Sequence, residues 1–545
     1  MEFLTINRLL SPLNNCELST YSLCGKLKAQ VTQTYIRQQL EGHPDYPSLL
    51  AVSDVLKGLG IRNAAFEIDI NGLEELPEYF IAEIKKDSET FYTVVTVIDN
   101  ETLEYTAPTG NKETKASLSE FRHIFTGKAL LAEVPEDRIR EENYELHARE
   151  ERWTRLTQWL IIGAVPLLVF VDCGVALVRL RSSAAASVAY TLLSLAGTIV
   201  GILLLWYEVD KHNPALQHIC TVGKKTNCDA VLSSSASKMF GIGWSSIGFA
   251  YFAGSLTALL VSGVYSPPML SVLSWLNVAT LPYTVFSVYY QSKVAGQWCV
   301  LCLAVQALLI LQFITAWAGG FHAMSDKVSM DTVLVAVFAF FVPFLVVSLL
   351  LPALRSAKEG RKDKGELLRL KHNPQIFEAL LARQKAIAEP TTELGITIGN
   401  PDARYKLVKV CNPYCGPCAK AHPVMDSLLD SNPEVQVQII FTATGDEGDG
   451  RTPPVRHLLA VAGNGDGQRT KQALDDWYMA ETKDYAAFAG KYPMDGELKQ
   501  QDGKIKAMAE WCGKTGIAFT PTFFVNGFQL PEQYSVTDLK YFLSV

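Results

Sequence analysis

The sequence predicts a multidomain membrane protein: a soluble α+β domain at the N-terminus, an all-α bundle of membrane-spanning helices, and a soluble α/β domain at the C-terminus. Three observations predict it. A hydrophobic fraction of 48% stands beside a charged fraction of 19%, a mixture that suits soluble domains joined to a membrane core. Within residues 156–353 the apolar residues concentrate in stretches of about 20, the length that crosses roughly 30 Å of hydrocarbon. Eight of the eleven cysteines fall in three places: Cys220 with Cys228, Cys299 with Cys302, and Cys411, Cys415, Cys418 and Cys512. Such clustering fits redox chemistry or metal binding better than scattered core thiols. The 545 residues allow about three or four domains of typical size. A net charge of -7, with no basic cluster interleaved with aromatics, excludes nucleic acid as a partner.

Residues 1–150 read as globular sequence. Helical periodicity marks "TQTYIRQQLEG" and "SLLAVSDVLKGLG", and strand-like alternation marks "TFYTVVTVID" and "LEYTAP". The first thirty residues show no apolar segment with a cleavage site, so no secretory signal is expected. Six spans are expected at 156–178, 187–207, 244–264, 269–290, 299–319 and 332–353, an even number that puts both termini on one side. Arg179 and Arg181 after the first span suit a cytoplasmic loop, which places the termini, the 208–243 loop and the Cys299 end of the fifth span outside. The basic linker "RSAKEGRKDKGELLRLKH" (355–372) argues the opposite way. Charge alone leaves the sidedness open. Residues 354–384 form a basic linker and helix, and 385–545 the C-terminal domain.

In "YKLVKVCNPYCGPCAKAHPVMDSLL" a short apolar strand (405–410) leads through a Cys-rich turn into a helix beginning near Cys415. At a helix N-terminus, unpaired amide donors and the dipole stabilise a thiolate, which makes Cys415 the attacking sulfur and Cys418 the one that resolves mixed disulfides. About 100 residues later, "GIAFTPTFFVNG" places Thr520-Pro521 before a strand. These segments resemble the thioredoxin superfamily, whose Cys-Gly-Pro-Cys pair faces a cis-proline loop; Pro521 and the preceding Thr520 match that loop. The helix-rich stretch at 453–515 resembles the helical insertion of the DsbA-like branch. A zinc ribbon would want a second close pair, and Cys512 stands alone, so no metal is expected. Cys411 and Cys512 lie outside the family pattern and read as a structural disulfide or as core residues.

In the membrane part, "CTVGKKTNCDAVLSSSASKMFGIGWSSIGFAYF" (220–252) holds two loop cysteines, a Cys-Asp-x-Val-Leu-x-Ser run (Cys228 to Ser234), a Gly-Ile step at Gly241 and Ile242, and a return to apolar sequence through Ile247, Gly248 and Tyr251. With the Cys299-x-x-Cys302 pair at the head of a later span, this resembles the bacterial form of the vitamin K epoxide reductase family. The likeness covers about 187–353, so the first span is extra; Gly243 stands where bacterial relatives often carry proline. The residues point the same way unaided, since a dithiol at the head of an apolar helix can reach a two-electron acceptor dissolved in the bilayer. Cys173 reads as a small packing residue. Asp172 beside it is a costly intramembrane acid, read as a helix-end residue facing protein or water.

Residues 20–135 resemble, more faintly, the papain-like leader-peptidase domain of bacteriocin exporters, through "HPDYPSLLAVSDVLKGLGI" and "FYTVVTVIDNETLEYTAPTG". Where that family has a histidine at the start of the strand, this chain has Phe91, Tyr92 and Thr93, and Ala107 stands before Pro108 in place of aspartate. A cysteine protease without its base does not cleave. Cys16 and Cys24 are nucleophiles only by residue type and read equally as a disulfide, and His43 reads as a turn residue. The domain is expected to be a degenerate peptidase that binds peptides.

Together the resemblances imply disulfide formation de novo. Electrons would pass from thiols of exported proteins to Cys415 and Cys418, then to Cys220 and Cys228, then to Cys299 and Cys302, and finally to a quinone, menaquinone or ubiquinone, near Cys302 and Ser234. Such a relay works outside the reducing cytosol, which implies a multi-pass protein of the bacterial inner membrane with both soluble domains in the periplasm. Two rivals stand. Cys-Gly-Pro-Cys is the type of reducing thioredoxins, near -270 mV against about -120 mV for DsbA, so the carrier could serve reduction or isomerisation. Alternatively the N-terminal domain is the working part of a membrane-anchored peptide-processing partner of an exporter.

Overall fold

The computed structural model describes residues 13–543, apart from 69–75, 87–88, 100, 107–112, 136–137, 212, 221–225, 227, 235–236, 240, 447 and 495. Ala107 and Pro108 thus lie outside the described residues. The chain divides into two compact units, residues 1–41 with 47–365, and 42–46 with 366–545.

The first unit begins with three helices, α1 (Asn15–Lys26), α2 (Gln33–Glu41) and α3 (Leu49–Gly58), set on a six-stranded antiparallel sheet. Its strands, β1 (Asn63–Glu67), β2 (Tyr79–Lys86), β3 (Glu89–Val97), β4 (Thr102–Thr106), β5 (Glu113–Ser117) and β6 (Phe125–Ala132), run in the order β1-β6-β2-β3-β4-β5, and a short helix α4 (Leu118–Arg122) precedes β6. Polar caps fix the helix starts. Asn14 and Glu17 form a capping box on α1, and the Ser48 hydroxyl accepts the Ala51 amide at the start of α3. Phe80, Ile84, Val95, Leu103 and Phe121 make the core of this α+β domain.

Among the described residues five helical stretches are long and apolar enough to cross a membrane. The first, Tyr144–Val209, contains both the first and second expected spans. It breaks at Arg181 (φ 52°), where a 3-10 turn, Arg181–Ala184, separates α5 (Tyr144–Leu180) from α6 (Ala185–Val209). The rest are α9 (Trp244–Ser262), α10 (Pro267–Tyr289) with a further turn to Ala295, α11 (Val300–Ala318) and α12 (Met330–Lys371); two short helices, α7 (Pro214–Cys220) and α8 (Cys228–Leu232), and the two-residue strands β7 (Lys238–Met239) and β8 (Ile242–Gly243) lie between α6 and α9. Gly197 and Gly201, four apart on α6, let α9 approach closely. A Cβ on Gly197 would lie 2.1 Å from the Phe252 ring, and one on Gly201 3.0 Å from the Phe249 backbone. Inside the bundle a polar network joins four helices: Gln312 donates to Ser194 (2.9 Å), Tyr251 to Gln312 (3.2 Å), and Asn277 to Tyr251 (3.1 Å) and to the Leu309 carbonyl (3.2 Å). Such bonds hold helices together where lipid removes the hydrophobic drive between them. Cys173 is buried where α5 meets Val188, Leu195 and Leu256, and Asp172 beside it is half-buried.

The second unit is an α/β domain. After α13 (Pro374–Leu381), strands β9 (Ile396–Gly399), β10 (Tyr405–Cys411), β11 (Val435–Phe441), β12 (Thr522–Val525) and β13 (Phe528–Gln529) form one sheet in the order β13-β12-β10-β11-β9. Only the β10 and β11 pair is parallel, and α14 (Gly416–Ser431) makes its crossover. Helices α15 (Thr452–Gly463), α16 (Gly467–Met479), α17 (Tyr485–Lys491) and α18 (Asp502–Thr515) fall between β11 and β12. The Thr520-Pro521 bond that leads into β12 is cis. Sheet and helical insertion share one core, with Val410, Phe441, Leu458, Trp477 and Met508 at its centre.

Candidate functional site

The membrane dithiol sits where α10 ends and α11 begins. Helix α10 gives way to a π-helical turn, Tyr290–Ala295, and Gly296 (φ 61°) reverses the chain into Trp298. The wider turn points Gln291 inward: its side-chain oxygen accepts the Cys299 amide at 2.8 Å and its nitrogen donates to the Ser287 hydroxyl at 3.1 Å. Cys299 caps α11, its sulfur accepting the Cys302 amide at 3.3 Å. Both are buried thiols. Upstream, Cys220 ends α7 and Cys228 opens α8, and the two form a disulfide. A parallel bridge between Thr226 and Trp298 holds the loop pair beside the helix pair. All four cysteines belong to one buried cluster with Leu216, Tyr251, Phe252 and Leu301.

A small cleft, with about 40 Å³ of cavity volume, opens beside this cluster. Cys302 lines it and Cys299 does not; Ser234, Trp244, Tyr283, Glu208 and Gln291 line it as well. The Trp244 and Tyr283 rings stack at 4.3 Å. Ser234 donates its hydroxyl to the Val231 carbonyl at 2.7 Å, which leaves its oxygen lone pairs for an incoming donor. The Glu208 carboxylate accepts from Ser245 and Arg355. One turn beyond Cys302, Gln306 is buried with its side chain toward the Tyr283 hydroxyl. Sequence reasoning passed over Gln306 and Gln291, although an amide four residues after a Cys-x-x-Cys in an apolar run lies on the same helix face and is a readable signal.

In the C-terminal unit the central strand β10 ends at Cys411, and a turn delivers Cys415 to the N-cap of α14. The Cys415 sulfur accepts the Cys418 amide at 3.3 Å and lies 3.4 Å from the Thr520 carbonyl in the cis-proline loop. Cys415 is half-buried and Cys418 wholly buried. Burial, with the hydrogen bond to Cys415, pushes the Cys418 thiol up to about 12. The pair is therefore asymmetric: one sulfur is reachable, the other is held inside as a thiol. Exposed Tyr414 and Phe519 flank it. Cys411 and Cys512 are separate thiols rather than a disulfide; Cys411 meets the Tyr478 hydroxyl at 2.9 Å, and burial raises both, Cys512 to about 11. Behind Cys418, His422 contacts Asp475 at 2.9 Å and Asp426 at 3.3 Å. Burial lowers the imidazole to about 4, and burial with the neighbouring Asp475 raises Asp426 to about 7.

In the N-terminal domain Cys16 and Cys24 are buried thiols on α1, not a disulfide, and burial raises each to about 12. The strand that holds Phe91, Tyr92 and Thr93 in place of the expected base is tied to α1 through the Tyr92 backbone carbonyl, which accepts from Asn15 at 2.7 Å and Ser19 at 2.8 Å. His43 caps its own turn, its ring nitrogen accepting the Asp45 amide at 3.2 Å.

Fold and dithiol geometry define a class: a multi-pass membrane thiol-disulfide oxidoreductase with a thioredoxin-like domain. Comparison with known families is specific about the parts. Residues 188–317 match the vitamin K epoxide reductase family, residues 14–137 the Peptidase C39 family and residues 391–544 the thioredoxin family. The chain thus carries a vitamin K epoxide reductase family domain between an N-terminal Peptidase C39 domain and a C-terminal thioredoxin domain. No curated protein matches the chain. Among solved structures it is similar to a linker-deletion mutant of ScsC from Proteus mirabilis, at 23% identity over 34% of this chain and 93% of that one, with a TM-score of 0.25. It is also similar to BdbD from Bacillus subtilis, at 14% identity over 29% and 95% of the two chains, with a TM-score of 0.24.

Proposed function

We propose that this protein makes disulfides de novo. Substrate thiols reduce the Cys415 and Cys418 pair, that pair reduces the Cys220–Cys228 disulfide, and Cys220 and Cys228 in turn pass electrons to Cys299 and Cys302. At each exchange one dithiol loses two electrons and two protons and one disulfide gains them. Cys415 is the reachable nucleophile of the carrier, and Cys418 resolves the mixed disulfide from inside. The observation that carries the reading is the clustering of four cysteines as two pairs, with Cys302 alone opening into an aromatic cleft.

The cleft suits a quinone. The stacked Trp244 and Tyr283 rings offer an aromatic wall, and the Ser234 hydroxyl, on turning from the Val231 carbonyl, can donate to a ring oxygen. Bound there, a quinone supplies a two-electron, two-proton acceptor that is soluble in the bilayer. Cys302 presents its sulfur to the cleft, Gln291 holds Cys299 behind it, and the surrounding apolar cluster excludes water. Menaquinone and ubiquinone both meet this description. The relay belongs to the periplasmic side of a bacterial inner membrane, where disulfides persist, with thiol-bearing exported proteins as substrates. The N-terminal domain would bind such chains without cutting them, because Phe91, Tyr92 and Thr93 stand where the base is expected.

The test follows quinone reduction, by absorbance, on adding reduced substrate to the detergent-solubilised chain. Cys302→Ala should abolish it while leaving Cys415 reducible. A variant as fast as wild type would sink the relay.

A further inference from the structure

Strand β10 places a lysine in the interior of the C-terminal domain. Lys409 is 0% exposed, and its ammonium donates to the Cys418 carbonyl oxygen at 3.1 Å. It also stands 4.6 Å from the centre of the Tyr478 ring. Among the described residues no carboxylate forms an ion pair with it. An ammonium buried without a carboxylate is among the costliest side chains a fold can hold, and an apolar side chain of similar volume would remove that cost. The lysine is also not at an arbitrary place. Successive strand residues face opposite sides of a sheet, so Lys409 shares its face with Cys411, whose sulfur meets the Tyr478 hydroxyl. The ammonium, the Tyr478 ring and the Cys411 thiol therefore form one buried group beneath the exchanging pair.

We propose that Lys409 is a positioning residue that makes the Cys415 and Cys418 pair more oxidising. Its hydrogen bond fixes the first turn of α14 at Cys418, and its positive charge favours the reduced pair, which can carry negative charge on sulfur, over the uncharged disulfide. The proposal rests on the reading of these two cysteines as the exchanging pair. In the exchange two substrate thiols lose two electrons and two protons and form a disulfide, while the disulfide between Cys415 and Cys418 breaks and takes them up. Whatever stabilises that dithiol drives the exchange toward substrate oxidation. The lysine thus gives an oxidising bias to a Cys-Gly-Pro-Cys sequence that by itself resembles reducing carriers.

The experiment equilibrates the full detergent-solubilised chain in glutathione buffers, quenches with acid, alkylates free thiols, and reads the oxidised fraction of the peptide bearing Cys415 and Cys418 by mass spectrometry. Lys409→Met removes charge and hydrogen bond; Lys409→Gln removes the charge and keeps a donor. Both are expected to need about a tenfold higher [GSH]²/[GSSG] ratio for half-reduction, a fall of about 30 mV. The Met variant should unfold at no lower temperature than wild type, which a purely structural lysine would not allow. The proposal is overturned if both variants titrate within twofold of wild type, or if Gln behaves as wild type and only Met shifts, since charge would then be irrelevant. If the wild-type pair forms no disulfide in any buffer, the relay reading itself falls, and the inference with it.

Discussion

Gln291 offers the sharpest test of how the fold holds the membrane dithiol. Its amide accepts the Cys299 backbone N–H at 2.8 Å and donates to Ser287 at 3.1 Å, and Gln291 and Cys299 are both 0% exposed. Replacing it with Met keeps the volume and removes both bonds. A buried N–H left without a partner costs about 1–3 kcal/mol. The Ser287 hydroxyl can turn to a neighbouring carbonyl and adds little, so a loss near 2 kcal/mol is expected. The same bond sets where Cys299 sits, so part of the loss falls on the exchange step. If all of it does, the rate drops about 30-fold, since each 1.36 kcal/mol is worth a factor of ten. The assay mixes the pre-reduced chain with a soluble quinone analogue and follows absorbance, with thermal unfolding measured alongside. A variant that keeps both the wild-type rate, within twofold, and the wild-type unfolding temperature would refute this account of the turn.

Other expectations concern packing, charge and sidedness. Gly197→Leu drives a side chain into the Phe252 ring and should lower stability by about 3 kcal/mol or abolish folding; thermal unfolding in detergent reads the effect, and a wild-type midpoint contradicts the close α6 and α9 contact. Although burial would raise the Asp538 carboxyl, its bonds to His372, Lys371 and Ser535 hold it well below the usual carboxylate range. A depressed folded-state value adds stability that is present above about pH 4 and lost as pH falls below it, so urea titrations of Asp538→Asn should show a flatter acid limb than wild type. Cys16 and Cys24 are too buried for labelling, but Lys115 is exposed on β5. Lys115→Cys should react with a membrane-impermeant thiol reagent in cells whose outer membrane alone is opened; protection until full lysis would place the N-terminal domain in the cytosol.

Cysteine spacing was legible because the chemistry itself fixes it: a dithiol that exchanges with a disulfide needs sulfurs within one helical turn, so "CVLC" and "CGPC" announce themselves. The cis-proline partner was legible for the same reason, through Thr520 and Pro521. What holds these groups in place was not. Gln291 and Gln306 look like ordinary polar residues until the turn and the helix face show where their amides point. The Ser194, Gln312, Tyr251 and Asn277 network joins four helices by contacts up to 118 residues apart, and no local pattern carries that information. Lys409 is hidden by strand parity. In "YKLVKVC" Lys406 and Lys409 fall on opposite faces, so one reads as solvent-facing; only the position of β10 inside the sheet, buried on both faces from Leu407 to Cys411, denies Lys409 access to water. The break at Arg181–Ala184 was legible too, since it falls in the expected connection between the 156–178 and 187–207 spans.

Burial would impose an order on the proposed relay. In the carrier, Cys415 is reachable and Cys418 is not; in the membrane pair, Cys302 opens to the cleft and Cys299 faces the protein. Each of these pairs therefore has one outward and one inward sulfur, which gives electrons a direction through it. The loop pair differs, since Cys220 and Cys228 are 2% and 1% exposed while bonded. Thiol-disulfide exchange requires a thiolate to reach one of the two sulfurs directly. Cys299 lies in the same buried cluster, whereas a carrier arriving from water meets no exposed sulfur of the bonded pair. On the proposed relay, reduction of the loop pair from outside then requires exposure of the Cys220 or Cys228 sulfur, and that step, rather than the chemistry of either neighbouring pair, is where its rate would be set.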